Sequence, residues 1–399
     1  MPDVNPQKRP VYLDHSATTP LRPEVLEAML PFLRGHHGNA GSLHRFGRDS
    51  RRAVESAREQ VAALINAEPC EIVFTSGGTE SNNLAIRGMV ESSGRTANRL
   101  VTTAVEHPSV LHACESLARA DRVELQVAEV DRDGFVDPDT VELLMNDDTV
   151  LVSVMHANNE TGVIQPIKRI GSLCRQKGIP FHSDTVQSVG KRPLDVRKQP
   201  LDLAVISGHK LSASKGIGAL FVRNGIGILP QLAGGAQERG RRAGTENVAG
   251  IVGLGCACEL LQNEMHCLSK RLERLRDRLE KGLLAKIAGV QVNGSTTHRL
   301  SNLLNVAFDG LDGEQLMFAL DEKGVAVSTG SACTSGSLDP SHVLLAMGQS
   351  HEQASCAIRF SLGGDNTAEE VDQVIALLSG LVGQLRMGED ISSAKAHPD

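Results

Sequence analysis

The sequence predicts an α/β fold with a mostly parallel sheet sandwiched between helices. Short apolar runs alternate with amphipathic stretches from residue 47 to residue 223, a pattern typical of strand–helix units that build a parallel sheet. Helical periodicity covers residues 47–66, 79–92, 108–120 and 166–177. Seven apolar runs are predicted strands: 71–75, 99–104, 123–130, 149–155, 179–184, 201–207 and 218–223.

A second, smaller unit follows the alternating region. A long helical stretch is predicted from about 246 to 287, and its second half is rich in charge, as is typical of a solvated or domain-bridging helix. Strands are then predicted near 302–308, 325–327 and 357–361, with a last helix near 367–385. We therefore expect a large domain over residues 15–260 and a small α+β domain made of 1–14 with 261–399.

Composition excludes several classes of function. The net charge of −7 argues against a nucleic-acid-binding surface, and a chain with no Trp and one Tyr has few rings on which bases could stack. No apolar run approaches 18 residues, so a membrane span is not predicted. The first twenty residues contain no apolar signal segment, so we expect a cytoplasmic protein.

The most informative segment is LDLAVISGHK, in which a buried strand ends just before Lys210. A lysine held at a rigid strand end becomes nucleophilic when it is desolvated, whereas most lysines in such a position are simply solvated. Upstream, the strand-like IPFHSD carries Asp184. A carboxylate that keeps a pyridinium nitrogen protonated and a lysine that carries an aldehyde are the two requirements of a pyridoxal phosphate site.

Other polar residues also follow predicted strands, where open α/β sheets bind their ligands. After the strand at 71–75, Gly78 and Thr79 open a helix whose backbone N–H groups suit a phosphate, although a capping Thr is equally consistent with an ordinary helix start. His107 follows another strand and could stack on a flat ring. Asn159 and Gln187 follow two more, with amides suited to a ring oxygen or a carboxylate.

The segment STGSACTSGS, residues 328–337, is predicted to be a surface loop because it lacks apolar periodicity and is flanked by glycines. It contains Cys333, and an exposed thiol in such a loop suggests that its reactivity is used. The other seven cysteines form no C-x-x-C motif and are interpreted as packed small apolar residues.

Ten segments of the sequence together resemble the NifS/IscS-type cysteine desulfurases, which are pyridoxal phosphate enzymes of fold type I related to class V aminotransferases. The Cys333 loop and the Gly-Thr-Glu-Asn segment are the most specific of these, and they are more similar to the nitrogen-fixation branch. Thr185 and Ser214 depart from the family's usual Ala and Pro. The segments are YLDHSATTP, GNAGSLHRFG, FTSGGTESNN, EHPSV, NNETGVIQPI, HSDTVQSVGK, SGHKLSASKGIGAL, GGAQERGRRAGTENV, GSACTSGSLDPSHVL and IRFSLG.

The resemblance implies how the cofactor is held. Lys210 would carry pyridoxal 5′-phosphate, Asp184 would pair with the ring nitrogen, and Gln187 would bond the phenolic oxygen. His107 would stack on the ring and pass protons. The phosphate would be bound by Gly78, Thr79, Ser207 and His209, with Thr245 reaching in from a second subunit of a homodimer.

The resemblance also implies the reaction. Arg359 and Asn159 would bind the carboxylate of L-cysteine, and Lys210 would remove the Cα proton. Cys333 would attack the substrate sulfur, leaving a persulfide on the enzyme and releasing L-alanine. The sulfur would pass to an iron–sulfur scaffold or another acceptor protein. No metal is implied in the resting enzyme, although Cys333 could ligate a transient iron–sulfur cluster during transfer.

Four alternatives remain at this point. An aminotransferase or a selenocysteine lyase of the same fold would also use Lys210 and Asp184, although an aminotransferase would not explain Cys333. A dinucleotide-dependent oxidoreductase would need G-x-G-x-x-G after a strand, which FTSGGTES does not supply. A non-catalytic iron–sulfur scaffold would need clustered cysteines.

Overall fold

The computed structural model describes residues 10–94, 98–329 and 340–388. Its strands in chain order are β1 Val11–Tyr12, β2 Ile72–Thr75, β3 Arg99–Thr103, β4 Glu124–Ala128, β5 Thr149–Ser153, β6 Phe181–Ser183, β7 Leu203–Ser207, β8 Gly218–Val222, β9 Val290–Val292, β10 Leu303–Phe308, β11 Val325–Ala326, β12 Ser328–Thr329 and β13 Ala357–Ser361. Its α-helices are α1 Pro23–Arg34, α2 Arg45–Ile65, α3 Gly78–Ser92, α4 Pro108–Arg119, α5 Pro138–Leu144, α6 Ile167–Gln176, α7 Val248–Lys286, α8 Gly313–Glu322, α9 His342–Ala346, α10 His351–Ser355 and α11 Ala368–Arg386.

Seven strands form one sheet in the order β2-β8-β7-β6-β5-β3-β4. Only β8 runs antiparallel to its neighbours, β2 and β7, and the other pairs are parallel. The predicted α/β fold with a mostly parallel seven-stranded sheet is therefore confirmed. Because the other six strands run in one direction, their carboxyl ends meet at a single edge of the sheet.

Apolar side chains cover both faces of this sheet. One core cluster joins α2, α6 and the first half of α7, and another joins α3 and α4. The helices α2 and α7 approach closely at Gly255, where an added Cβ would lie 2.7 Å from Ala57 Cα. A larger residue at that position would force the two helices apart.

The remaining strands form two smaller sheets. One is antiparallel, in the order β12-β13-β10-β9, and the other is the parallel pair β1-β11. A separate core cluster fills this region, with residues from α8, α11 and the second half of α7. The predicted loop at 328–337 needs one correction, because Ser328–Thr329 form strand β12, paired with β13.

No helix within the described ranges is long and apolar enough to cross a membrane.

Candidate active site

The carboxyl ends of β2, β3, β5, β6 and β7 surround one cavity of about 260 Å³. Nine of the residues predicted to form the site line it: Gly78, Thr79, His107, Asn159, Asp184, Gln187, Ser207, His209 and Lys210. They come from positions as far apart in the sequence as Gly78 and Lys210, and the parallel strands bring them together. The cavity is therefore the candidate active site.

Lys210 ends a short 3₁₀ turn, Gly208–Lys210, in the connection between β7 and β8. Its ammonium donates to the backbone oxygens of Ser16 and Ala17, the second at 2.7 Å. These contacts hold the amine against the N-terminal segment at the cavity wall. The lysine is thus fixed at both ends, by the buried strand behind it and by two carbonyl groups in front.

Asp184 follows β6 and is almost fully buried. Its carboxylate accepts from Asn82 Nδ2 at 2.8 Å and from the backbone N–H of Val186 at 3.0 Å. The two hydrogen bonds fix the direction of the carboxylate. A carboxylate oriented in this way suits a protonated heterocyclic nitrogen.

His107 is the N-cap of α4, because its Nδ1 accepts from the backbone N–H of Ser109 at 3.1 Å. Pro108 follows at the first helical position, where its missing N–H costs nothing. Burial lowers the pKa of His107, and the charge of Asp184 opposes this shift. The imidazole therefore stands half-buried at the cavity, held by its own helix.

The start of α3 forms an anion-binding end of the cavity. Gly77 has φ +153°, a conformation that side chains rarely adopt, and it turns the chain from β2 into the helix. The backbone N–H groups of Gly78 and Thr79 have no acceptor among the described residues and belong to the positive end of a 15-residue helix.

Burial, followed by the charges of nearby lysines, lowers the pKa of His209 to about 4.

Arg359 does not line the cavity, although Asn159 does. Its side chain is only 1% exposed, and it donates from Nη1 to Asn159 O at 3.1 Å and from Nη2 to Asp14 Oδ1 at 2.8 Å. Its Nε is buried without a partner among the described residues. The guanidinium thus lies behind the cavity wall, and its Nε–H is one of the N–H groups still to be satisfied.

Thr245 also lies away from this cavity, in the wall of a separate cavity of about 90 Å³ beside Thr75 and Gly216. Its loop is anchored by Glu238, whose carboxylate accepts hydrogen bonds from both terminal nitrogens of Arg58, at 2.8 and 2.9 Å. This ion pair is buried. The structure therefore fixes the base of the loop within its own subunit while leaving Thr245 exposed.

Cys333 lies outside the described residues. Among the seven described cysteines, Cys114, Cys174, Cys258 and Cys356 are buried, and burial raises the thiol pKa of each, to about 12 for Cys174 and Cys258. Their thiolates are not accessible near neutral pH. The interpretation of Cys267 as a packed residue is wrong, because this side chain is exposed on α7.

Sequence reasoning assigned no role to several residues of the site, notably Ser16, Asn82 and Glu106. Asn82 follows Thr79 by three positions on α3, so helical spacing alone could have placed both on one face. Glu106 is buried, which raises its pKa to about 8, and it accepts from Met155 N at 2.7 Å. That bond ties the end of β3 to the end of β5.

Thr185 and Ser214 do not line the cavity. Thr185 Oγ1 donates to Val205 O at 2.7 Å, a buried bond between the end of β6 and β7. Ser214 Oγ is buried without a partner among the described residues. Thr185 therefore adds a link between two strands that carry the site, which an alanine would lack.

The family model of the class-V aminotransferases matches residues 11–374. The chain belongs to the class-V aminotransferase family. This family uses pyridoxal phosphate on a type I fold, so the predicted family and fold type are confirmed.

Similarity to individual members extends over nearly the whole chain. The protein called cysteine desulfurase IscS of Methanosarcina thermophila is 47% identical over 384 residues, covering 96% of this chain and 95% of the relative. The cysteine desulfurase of Trichormus azollae is 48% identical over 376 residues, covering 94% of each chain.

Solved structures show the same likeness. A NifS-like protein superposes with a TM-score of 0.88 at 37% identity, covering 94% of this chain and 99% of its own. The structure described as SspA in complex with cysteine superposes with a TM-score of 0.79 at 34% identity, covering 88% of this chain and 98% of its own.

Proposed function

We propose that this protein is a pyridoxal phosphate-dependent cysteine desulfurase, which converts L-cysteine to L-alanine and retains the sulfur as a persulfide. The observation that carries the proposal is the convergence of Lys210, Asp184 and the N-terminus of α3 on one cavity. Cysteine desulfurase activity and the pyridoxal phosphate cofactor are confirmed predictions, since relatives about 47% identical over nearly the whole chain bear that name and the family uses that cofactor.

The residues present fit the cofactor. Asn82 lines the cavity, and its Oδ1 is a buried acceptor that has no partner among the described residues. At the phosphate end, a Cβ added to Gly78 would lie 3.1 Å from Val186 Cγ2, so only glycine leaves full room there. Gly78, Thr79, Ser207 and His209 would hold the phosphate, and Asp184 would keep the ring nitrogen protonated.

When bound, pyridoxal phosphate supplies an electron sink for the bonds at the substrate Cα. The chain's own residues supply the proton transfers. Lys210 would take the Cα proton, a general-base contribution of roughly 10²–10⁴ in rate. His107, whose pKa is lowered by burial, would stack on the ring and pass protons.

Arg359 and Asn159 would bind the substrate carboxylate. The Nε of Arg359 is a donor without a partner among the described residues, and Asn159 lines the cavity. A charge-assisted pair of bonds of this kind both orients the substrate and selects for an α-carboxylate.

Cys333 would be the nucleophile. Its thiolate would attack the substrate sulfur, the bond between that sulfur and Cβ would break, and protonation of the carbon product would yield alanine. Four of the described cysteines offer poor substitutes, since Cys114, Cys174, Cys258 and Cys356 are buried with raised pKa values.

A homodimer would complete the site, with Thr245 of one subunit reaching the phosphate bound by its partner. Exposed apolar side chains near the N-terminus support a second copy as the covering surface, because Leu43 is 89% and Phe46 58% exposed. The small domain would comprise residues 1–14 and 261–399, and the large domain 15–260.

The sulfur would pass to an iron–sulfur scaffold or another acceptor protein in the cytoplasm, and a role in nitrogen fixation is the narrower form of this proposal. Cys333 could ligate the cluster transiently during transfer. Neither nucleic acid nor membrane is expected as a direct partner.

The test is to supply purified, cofactor-loaded protein with L-cysteine and to measure sulfide, alanine and protein-bound persulfide together. Equal yields of alanine and transferred sulfur are expected. A keto acid product would instead indicate an aminotransferase, and turnover of selenocysteine without turnover of cysteine would indicate a selenocysteine lyase.

A further inference from the structure

A second cavity of about 500 Å³ lies on the other side of Lys210 from the candidate active site. Lys210 lines both cavities. The second cavity is bounded by the N-terminal segment, by α7 and by residues 362–365, and its wall includes Lys191 and His15. None of the proposed steps assigns a role to Lys191.

Lys191 is joined to the active site through Gln187. Its Nζ donates to Gln187 Oε1 at 3.0 Å, and Gln187 Nε2 donates to Ser16 O at 3.0 Å. Gln187 lines the first cavity and Lys191 the second. The glutamine side chain therefore separates the two cavities, with its oxygen toward the lysine.

A glutamine amide can present either its oxygen or its nitrogen to a neighbour. An ammonium group has only donors, so Lys191 must face the oxygen, and this contact determines which end of the amide faces Ser16. Gln187 Nε2 has two hydrogens, and one of them is used on Ser16 O. The other has no acceptor among the described residues and is available to a ligand in the first cavity.

We propose that Lys191 is a positioning residue that orients the Gln187 amide so that its NH₂ group donates to the phenolic oxygen of pyridoxal phosphate. This inference rests on the proposed function, because it needs the cofactor ring to lie between Asp184 and Lys210. In this inference Lys191 touches neither cofactor nor substrate, and it acts by fixing the orientation of the Gln187 amide.

The charges around Lys191 support this assignment. Burial lowers the pKa of Lys191 to about 7, and the charges of Lys210 and Arg359 act in the same direction. His15 and His209 also face it, and the charge of Lys191 contributes to the lowered pKa of each. A lysine so disfavoured as a cation keeps its charge best when it donates to an acceptor such as Gln187 Oε1.

The same geometry has an electrostatic effect on the cofactor. An N–H donor that Gln187 directs toward the phenolic oxygen favours negative charge on that oxygen. It also opposes protonation of the nitrogen through which Lys210 holds the cofactor. Both effects lower the pH at which the visible absorption band of the bound cofactor changes.

The experiment compares Lys191→Met, Lys191→Arg and Gln187→Leu with wild type, and Lys168→Met, an exposed lysine on α6, is the control. Each loaded protein is titrated with pH while its visible spectrum is recorded, and the affinity of each cofactor-free protein for pyridoxal phosphate is measured by equilibrium dialysis. The midpoint should rise by about one pH unit in Lys191→Met. Affinity should fall roughly 2- to 10-fold in that variant. Lys191→Arg, which keeps the donor and the charge, should restore most of both.

A double variant separates positioning from a general structural effect. If Lys191 acts through Gln187, Lys191→Met combined with Gln187→Leu should shift the midpoint little more than Gln187→Leu alone. Additive shifts, or an unchanged midpoint in Lys191→Met, would overturn the inference. Borohydride labelling of Lys210 in each variant tests the proposed function separately, since that function fails if wild type is not labelled there.

Discussion

Arg359 and Asp14 form a partly buried ion pair, with Nη2 and Oδ1 2.8 Å apart, that joins the antiparallel sheet to the N-terminal segment. The bond uses one of the five N–H groups of the guanidinium, and a second is used on Asn159 O. In the proposed role of Arg359, a substrate carboxylate would bind the remaining groups. A lysine in its place would lack the planar fork that allows paired bonds to a carboxylate.

Arg359→Lys should raise the KM for L-cysteine by roughly 10-fold or more, because the variant cannot satisfy both Asp14 and a substrate carboxylate with planar paired bonds. The value of kcat should change less than KM. Arg278→Lys, in an exposed pair with Asp372, is the matched control and should leave both unchanged. Steady-state kinetics that show equal KM values for Arg359→Lys and wild type would contradict the assignment.

Lys210→Ala should lose the covalent attachment of the cofactor. Borohydride reduction of the loaded wild type followed by peptide mapping should mark Lys210, because it is the lysine fixed between the end of β7 and the carbonyl groups of Ser16 and Ala17. Lys191→Met should remain labelled at Lys210. A label on any other lysine would refute the role of Lys210.

Cys333→Ala should still bind the cofactor and L-cysteine, as seen by spectral titration, but should release almost no sulfide. The reason is that carboxylate capture and cofactor binding are assigned to other residues, while the attacking thiolate is lost. Cys267→Ala is the control, since Cys267 is exposed but lies on α7. If desulfuration survives in Cys333→Ala and is lost in Cys267→Ala, the nucleophile has been wrongly identified.

Glu238→Gln should lower the free energy of unfolding by about 3 kcal/mol, because it leaves the buried Arg58 guanidinium without its anion. Asp372→Asn, which breaks the exposed pair with Arg278, should cost less than about 1 kcal/mol. Urea unfolding of the cofactor-free proteins measures both. If the two substitutions lowered the free energy of unfolding equally, burial would not increase the contribution of the Arg58–Glu238 pair to stability.

His182 should make the fold sensitive to acid. Burial lowers its pKa to about 4, so between pH 6.5 and 4 the unfolded chain binds a proton that the folded chain does not. Stability is therefore lost as the pH falls through this window, by about 2.5 kcal/mol from this one group between pH 7 and 4.5. Over the same pH range, the free energy of unfolding of His182→Asn should fall less than that of wild type, by this same amount.

The exposed His36, changed to Asn, is the control for this measurement. Other buried groups contribute to the total pH dependence, including Glu106, whose raised pKa of about 8 acts in the opposite direction. The difference between His182→Asn and wild type isolates one histidine. Identical pH dependences of the two unfolding free energies would contradict the prediction.

The sequence predicted the central sheet well because its strands are short apolar runs, each bounded by turn residues. All seven predicted strands are present, with bounds shifted by a few residues, as in Leu203–Ser207. The helix at Pro23–Arg34 is not indicated by the same reasoning, since Pro31 lies inside it and prolines ordinarily interrupt helices. The strand Val290–Val292 is too short, and too exposed, to stand out as a pattern.

Within the candidate site, residues that follow strands were predictable, since parallel strands bring their carboxyl ends to one edge. The pairing of Arg359 with Asp14 was not, because the two lie 345 positions apart and no local pattern connects them. The bond between Lys191 and Gln187 spans only four positions, but the direction of an amide depends on packing that local spacing does not fix.

The attachment of the N-terminal segment has a consequence for biosynthesis. Val11 and Leu13 bond to Gly324 and Ala326, and His15 bonds to Ser361, so each of these residues is synthesised long before its partner. Until then, the carbonyl groups of Ser16 and Ala17 cannot close the wall beside Lys210. A nascent chain would therefore bind the cofactor only after the segment from Gly324 to Ser361 has emerged from the ribosome.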